Sequence, residues 1–309
     1  MYIDLFGKKR AKLGLHHHTT CSDGRLQPEE VIAAYRAAGY DAIALTDHWF
    51  YNAARDAEGI RVLSGAEYHT GLHDGAVGVY HVLCLLAERE PVVDRHNTEQ
   101  EIIDAIHEAG GLAVLAHPAW SLNTPEKIMR LQGVDATEIF NTVSERGMSR
   151  RGDSSLIVDM LACEGVYLPL TAADDSHFYG EGNLADSVTA FIMVECDDPH
   201  DDEALRRAIR EKRFYASTGP EIHALWTEGG SIHVKCSPAQ RIYSVSIGGK
   251  CLHAFATEGA LTEASFPLYR ERGGIRLAVF DEKGRFATTR FYYPEEWHTE
   301  MPYPEKSKP

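Results

Sequence analysis

From about Lys12 to Ala216 the chain alternates short apolar runs with stretches of helical period. Gln27 to Gly39 reads as a helix, with Pro28 in its first turn, Glu29 and Glu30 near its N-terminus and Gly39 as its stop. Asp41-Ala42-Ile43-Ala44-Leu45-Thr46 is a buried-strand pattern that ends at Asp47-His48. Arg61 to Ala66 is a strand ending at Glu67, and Val82 to Leu86 is another, entered at His81. Thr98 to Ala109 predicts a helix, capped by Asn97 or Thr98, with Ile102, Ile103 and Ile106 on one face and Gly110-Gly111 as its stop. Further strands are predicted at Leu112–Ala116, ending at His117-Pro118, at Ala136–Phe140, which carries Glu138, and at Val166–Ala172, ending at Asp174-Asp175-Ser176-His177. Helices at Ser154–Cys163 and Asp202–Lys212 complete the series. Such alternation implies a largely parallel sheet, with polar residues at the carboxyl ends of its strands, where α/β barrels build sites.

After Thr218-Gly219-Pro220 the texture changes. Ile222–Glu228, Ser231–Cys236, Ile242–Ile247, Ile275–Phe280 and Phe286–Tyr293 read as strands separated by turns such as Glu228-Gly229-Gly230 and Glu282-Lys283-Gly284. The expected division is an α/β domain over residues 1–218 and a small antiparallel β domain over 219–309, with a loosely held polar tail from Pro294.

The strand ends carry the chemistry. In Leu15-His16-His17-His18-Thr19-Thr20-Cys21-Ser22-Asp23-Gly24 an extended backbone sends His16 and His18 to the same face, which suits a metal ion. Hydrophobic content of 44% with 25% charged residues is that of a globular protein. No apolar run reaches membrane-spanning length, and the N-terminus lacks a signal-peptide core, so a cytoplasmic protein without a membrane partner is expected. The six cysteines form no CxxC pair and read as reduced core fillers. A formal charge of −15 argues against stable nucleic-acid binding through a basic face. Metal ions would still supply local positive charge for a small anionic substrate.

The motifs Leu15–Gly24, Leu45-Thr46-Asp47-His48, Gly65-Ala66-Glu67, Ala116-His117-Pro118 and Asp175-Ser176-His177, in this order, resemble the PHP (polymerase and histidinol phosphatase) superfamily over roughly residues 12–216. Within it, the chain is most similar to standalone PHP metal-dependent phosphoesterases and CehA/McbA-type metallohydrolases. The resemblance implies a distorted (β/α)7 barrel holding two to three divalent ions, Zn, Mn or Fe. It implies one ion on His16, His18, Glu67 and Asp175, and a second on Glu67, His81 and His117. A third would lie on Asp23, His48 and His177. His69 and His73 are alternatives to His81, which is preferred because it enters an apolar strand. Glu67, Asp175 and His177 are assigned to catalysis. Nitrogen and carboxylate donors without thiolate suit the same metals, and a water between two such ions loses its proton near neutral pH.

Arg151, and Arg150 beside it, are expected to contact an anionic substrate, because guanidinium matches phosphate or carboxylate. Asp47 and Asp174 are expected to orient ligands. The leading expectation is a metal-dependent phosphoesterase for a small phosphorylated molecule, nucleotides included. An ester or carbamate hydrolase on the same metals is the rival, and a non-catalytic, metal-stabilised recognition module a third reading. A homo-oligomer is an open option.

Overall fold

The protein is described by a computed structural model. The structure describes residues 1–5, 7–71, 79–182, 185–247, 251–268, 273–293 and 296. His73, His298 and the tail from Pro294, apart from Glu296, therefore lie outside the described residues. Internal contacts divide the chain into two units, one of Met1–Tyr2 and Lys8–Ala216, the other of Ile3–Gly7 and the chain from Ser217.

In chain order the first unit contains β1 (Tyr2–Ile3, shared at its end with the second unit), β2 (Lys9–Gly14), α1 (Pro28–Ala37), β3 (Ala42–Ala44), β4 (Arg55–Ala57), β5 (Ile60–Leu63), β6 (Gly65–Thr70) and β7 (Tyr80–Leu85). It continues with α2 (Glu99–Glu108), β8 (Leu112–Leu115), α3 (Pro125–Ile128), β9 (Ala136–Asn141), a π-helical turn (Ser144–Met148), α4 (Ser155–Cys163), β10 (Leu170–Ala173), β11 (Phe191–Glu195), α5 (Asp202–Arg210) and β12 (Phe214–Ser217). The helices form where their end signals stand. Glu30 accepts from the Gln27 backbone N–H at 2.8 Å, and Gly39 adopts φ +74° just past the end of α1. At α2 the Thr98 hydroxyl and the Glu101 carboxylate cap each other's backbone N–H groups, and Ile102, Ile103 and Ile106 are buried.

The first unit is a mixed α/β fold. Within it, strands run in the order β12-β11-β2-β3-β5-β4 in one sheet and β10-β9-β8-β7-β6 in another. Pairs β2/β3, β3/β5, β8/β9 and β9/β10 are parallel. Pairs β2/β11, β4/β5, β6/β7 and β7/β8 are antiparallel. The expectation of a largely parallel sheet is thus corrected. A parallel crossover needs about a dozen or more residues, and the Gly71–Val79 link is too short for one, so β6 and β7 turn back on each other. The run predicted as one strand over Arg61–Ala66 is two, broken at Ser64. Single bridges join His17 to Ser176, both just beyond strand ends, and His48, beyond β3, to Glu67 within β6.

The second unit is antiparallel β. Strands β13 (Ile222–Glu228), β14 (Ser231–Ala239) and β17 (Leu261–Pro267) form one sheet. Strands β15 (Arg241–Ser246), β16 (Leu252–Phe255), β18 (Ile275–Phe280) and β19 (Phe286–Thr288) pair in the order β16-β15-β18-β19.

Candidate metal centre

Strand periodicity builds the centre. After β2 the chain stays extended, so His16 and His18 share a face while His17 turns away. His17 packs its ring 4.0 Å from that of Tyr35 and sets Nδ1 3.1 Å from the Ser176 hydroxyl. Glu67 and His69 alternate onto one face of β6, and register places His81 of β7 directly opposite His69. His48 follows β3, His117 follows β8, and Asp175 and His177 follow β10. His117 and Asp175 adopt φ +28° and +52°, a region that non-glycine residues enter seldom and mostly at sites where the fold holds them there.

The side chains converge on Glu67. Its Oε2 lies 3.2 Å from His16 Nε2 and 3.1 Å from both His18 Nε2 and His48 Nδ1. Its Oε1 lies 2.8 Å from His81 Nδ1 and 3.3 Å from His117 Nε2. Asp175 Oδ1 lies 3.2 Å from His16 Nε2 and 3.0 Å from His18 Nε2. Asp23, half exposed, completes the rim at 3.4 Å from His177 Nε2 and 3.8 Å from His48 Nε2. Three groups bring their donor atoms within 4.8 Å of one another: His16, His18, Glu67 and Asp175; His48, Glu67 and His81; His18, Asp23, His48 and His177. All nine residues expected as ligands are gathered here, although His117 meets Glu67 and Asp175 without entering one of those tight groups.

Charge explains their protonation. Burial alone would raise the Glu67 and Asp175 carboxyls, but the surrounding imidazoles, His16 foremost, outweigh it and hold both well below the ordinary range. Burial opposes a proton on His16 and His18 too. The carboxylates around them win, raising His16 well above its usual value and His18 to about 9. His48 and His81 shift down because burial dominates there.

The donor set fits divalent ions. His48 Nδ1 lies 3.1 Å from Glu67 Oε2 without hydrogen-bond geometry, and one nitrogen in the cluster, His81 Nε2, is buried without a hydrogen-bond partner among the described residues. Such an atom costs about 1–3 kcal/mol unless something satisfies it. Imidazole and carboxylate donors without thiolate suit Zn²⁺, Mn²⁺ or Fe²⁺. Cys84 is a buried thiol pushed up to about 12 by its burial, which keeps it protonated.

Asp47 and Asp174 anchor the segments beside the ligands, and Asp47 reaches His18 through the Ser22 hydroxyl. Asp47 accepts from the Thr19 amide and hydroxyl, the Ser22 hydroxyl and the Asn52 amide, and so ties down the loop that carries Asp23. Asp174 accepts from Tyr35, Thr142, Thr189 and Ala190. The carboxylate that orients a ligand imidazole directly is Glu138, which accepts from His16 Nδ1 at 2.8 Å and leaves Nε2 facing the centre, while Ser22 and Ser121 meet the Nδ1 atoms of His18 and His117. Its other oxygen accepts from the His117 amide at 2.9 Å and the Asn141 side chain at 2.8 Å. The signal for it was a carboxylate in the middle of an apolar strand.

The centre opens into a cavity of about 310 Å³ lined by His69, Trp120 and Met148 as well as by ligands. Neither expected substrate arginine lines it. Arg150 is 86% exposed and 3.5 Å from Glu145, and Arg151 is exposed with Nη2 3.5 Å from the Trp120 carbonyl.

The sequence profile of the PHP domain matches residues 14–113. Among curated proteins, none matches the chain. Solved structures do. A two-domain protein from Bacteroides vulgatus, described as containing a "predicted PHP-like metal-dependent phosphoesterase", is 16% identical, with a TM-score of 0.50 over 94% of this chain and 97% of its own. That likeness is one of fold, and it runs across both units. A "putative metal-dependent phosphoesterase" from Bifidobacterium adolescentis is 15% identical over 64% of this chain and 95% of its own, with a TM-score of 0.37. An amidohydrolase from Chromobacterium violaceum is 19% identical over 54% and 88%, also at 0.37.

Proposed function

From one premise, that the chain carries a PHP domain, we propose that the protein is a metal-dependent phosphoesterase acting on a small phosphate ester. The observation that carries this reading is the division of Glu67. One of its oxygens faces His16, His18 and His48, and the other faces His81 and His117. A carboxylate so placed would be shared by two ions. His16, His18, Glu67 and Asp175 would hold one ion, and Glu67 and His81, with His48 or His117, a second. Asp23, His48 and His177, with His18 beside them, would hold a third. Bound divalent ions supply a low-pKa water and offset the charge that grows on phosphoryl oxygens.

The chain's own residues do the rest. Glu138 fixes the His16 ring so that its Nε2 faces inward. His177 sets Nδ1 2.8 Å from the Asp175 backbone carbonyl, which turns Nε2 toward Asp23. Glu67 and Asp175, ionised and buried, supply negative charge that a cation can neutralise. The bridges His17–Ser176 and His48–Glu67 support reading β2, β3, β6, β7, β8, β9 and β10 as the seven-stranded PHP ring.

The test is hydrolysis of p-nitrophenyl phosphate by protein loaded with Mn²⁺ or Zn²⁺, with Glu67→Ala alongside. Turnover by the native protein and its loss in the variant are expected. No turnover of any phosphate ester with ions verified bound contradicts the proposal. Ester or carbamate hydrolysis on the same ions is the second reading. It is favoured by a cavity that no Lys or Arg lines among the described residues. A strong preference for aryl acetates or carbamates over aryl phosphates would select it.

A further inference from the structure

The cavity has two unlike sides. One is the ligand cluster. The other is Trp120 and Met148, which coordinate nothing and which the reading above leaves without a role. The Trp120 indole stands against the ligand rings, 5.0 Å from His117 and 5.5 Å from His81, so the apolar wall starts where the centre ends. Met148, half exposed, ends the π-helical turn, a helix irregularity often found at functional sites. Its unbranched thioether adapts to a flat partner. Trp120 is held by its backbone: the Arg151 guanidinium approaches its carbonyl at 3.5 Å, and the neighbouring Ala119 amide donates to the Ser154 hydroxyl at 3.2 Å.

Charge gives the second half of the argument. Among the described residues no Lys or Arg lines the cavity. The undescribed segments of the first unit, 72–78 and 183–184, contain none in sequence. Among the described residues of the lining, the groups that would carry positive charge are the ions held by the ligand cluster, all on one side. An anionic group on a substrate is matched only at that side. A second anionic group, reaching Trp120 and Met148, would meet an apolar wall and no cationic side chain of the cavity lining, which disfavours it.

We infer that Trp120 and Met148 form the subsite for the organic part of the substrate, and that this part is a flat, apolar, uncharged group carrying a single anionic or ester head. An aryl monoester fits, whereas a nucleoside polyphosphate or a bisphosphate does not. This rests on the metal-centre reading and narrows its substrate class.

Non-hydrolysable phosphonates separate the two. Calorimetric titration of Mn²⁺-loaded protein compares phenylphosphonate, methylphosphonate and 4-carboxyphenylphosphonate. Covering one phenyl ring with an apolar wall predicts phenylphosphonate binding about tenfold or more tighter than methylphosphonate. The added carboxylate should cancel that advantage. Trp120→Ala and, because Trp120 touches two ligand rings, Met148→Ala as a variant away from them, should each reduce the phenyl-to-methyl ratio severalfold. Equal affinity for the phenyl and methyl compounds, tolerance of the carboxylate, or an unchanged ratio in both variants would overturn the subsite. Aryl preference in binding without turnover of any phosphate leaves the subsite standing and removes the phosphoesterase reading. Turnover without aryl preference does the reverse.

Discussion

Glu67 and Glu138 show how differently two buried carboxylates on strands of one sheet can serve one centre. Glu67 faces five imidazoles, whereas Glu138 reaches the centre through His16. Removing such an outer partner generally weakens metal affinity 10–100-fold. Glu138→Gln should therefore lower Zn²⁺ or Mn²⁺ affinity by roughly one to two orders of magnitude in competition with a chelating dye; unchanged affinity would show that His16 needs no such support. Protonation gives a second expectation. With its folded value raised to about 9, His18 carries a proton at pH 7 that a metal must displace. Metal binding should thus release at least one proton at pH 7 per centre, and affinity should climb with pH toward about 9. Calorimetry in buffers of different ionisation enthalpy reads the proton count directly. Most ligands were legible in the sequence because they sit at or beside the end of an apolar run and His16 and His18 keep the period of a strand, whereas Asp23 was legible through its motif alone. Glu138 was marked only as a carboxylate within an apolar strand, and Trp120 and Met148 not at all, because their places depend on which strands and loops become neighbours in space.

At the scale of elements, the ligand loops depend on close backbone approaches. A Cβ at Gly24 would sit 2.5 Å from the carbonyl carbon and oxygen of His18 and 2.7 Å from the Thr19 nitrogen. These are backbone atoms that cannot step aside. Gly24→Ala should displace the turn that carries Asp23, while the group of His48, Glu67 and His81 keeps its ligands. Elemental analysis should then show fewer ions per chain at equal metal concentration, and unchanged stoichiometry would mean that Asp23 holds none of them. Helices α1 and α2 were readable because caps and stops are local in sequence. The β6–β7 hairpin was not, since its segments also satisfy the pattern of parallel strands. Strand β17 escaped notice because its run, Leu261-Thr262-Glu263-Ala264-Ser265-Phe266-Pro267, is only partly apolar.

At the scale of the whole molecule, the centre draws donors from within β6 and from the ends of β2, β3, β7, β8 and β10, which belong to both sheets of the first unit. An ion held there binds the folded chain and has no comparable site in the unfolded one. At a free metal concentration of 100 Kd this is worth about 2.7 kcal/mol, or roughly 5–10 °C in the melting of a unit this size. EDTA should lower the melting temperature by that amount and excess Mn²⁺ should restore it, as followed by calorimetry. The division of the sequence near residue 218 followed from a change in texture, whereas nothing in the pattern of Ile3–Gly7 indicated that it packs with the second unit. The most direct test of the central claim is anomalous diffraction at the metal edge from crystals grown with Mn²⁺. Peaks within about 2.0–2.3 Å of His16, His18, Glu67 and Asp175, and a further peak on the other oxygen of Glu67, are expected. Fully formed side-chain clusters with no anomalous peak at saturating Mn²⁺ or Zn²⁺ would contradict the account.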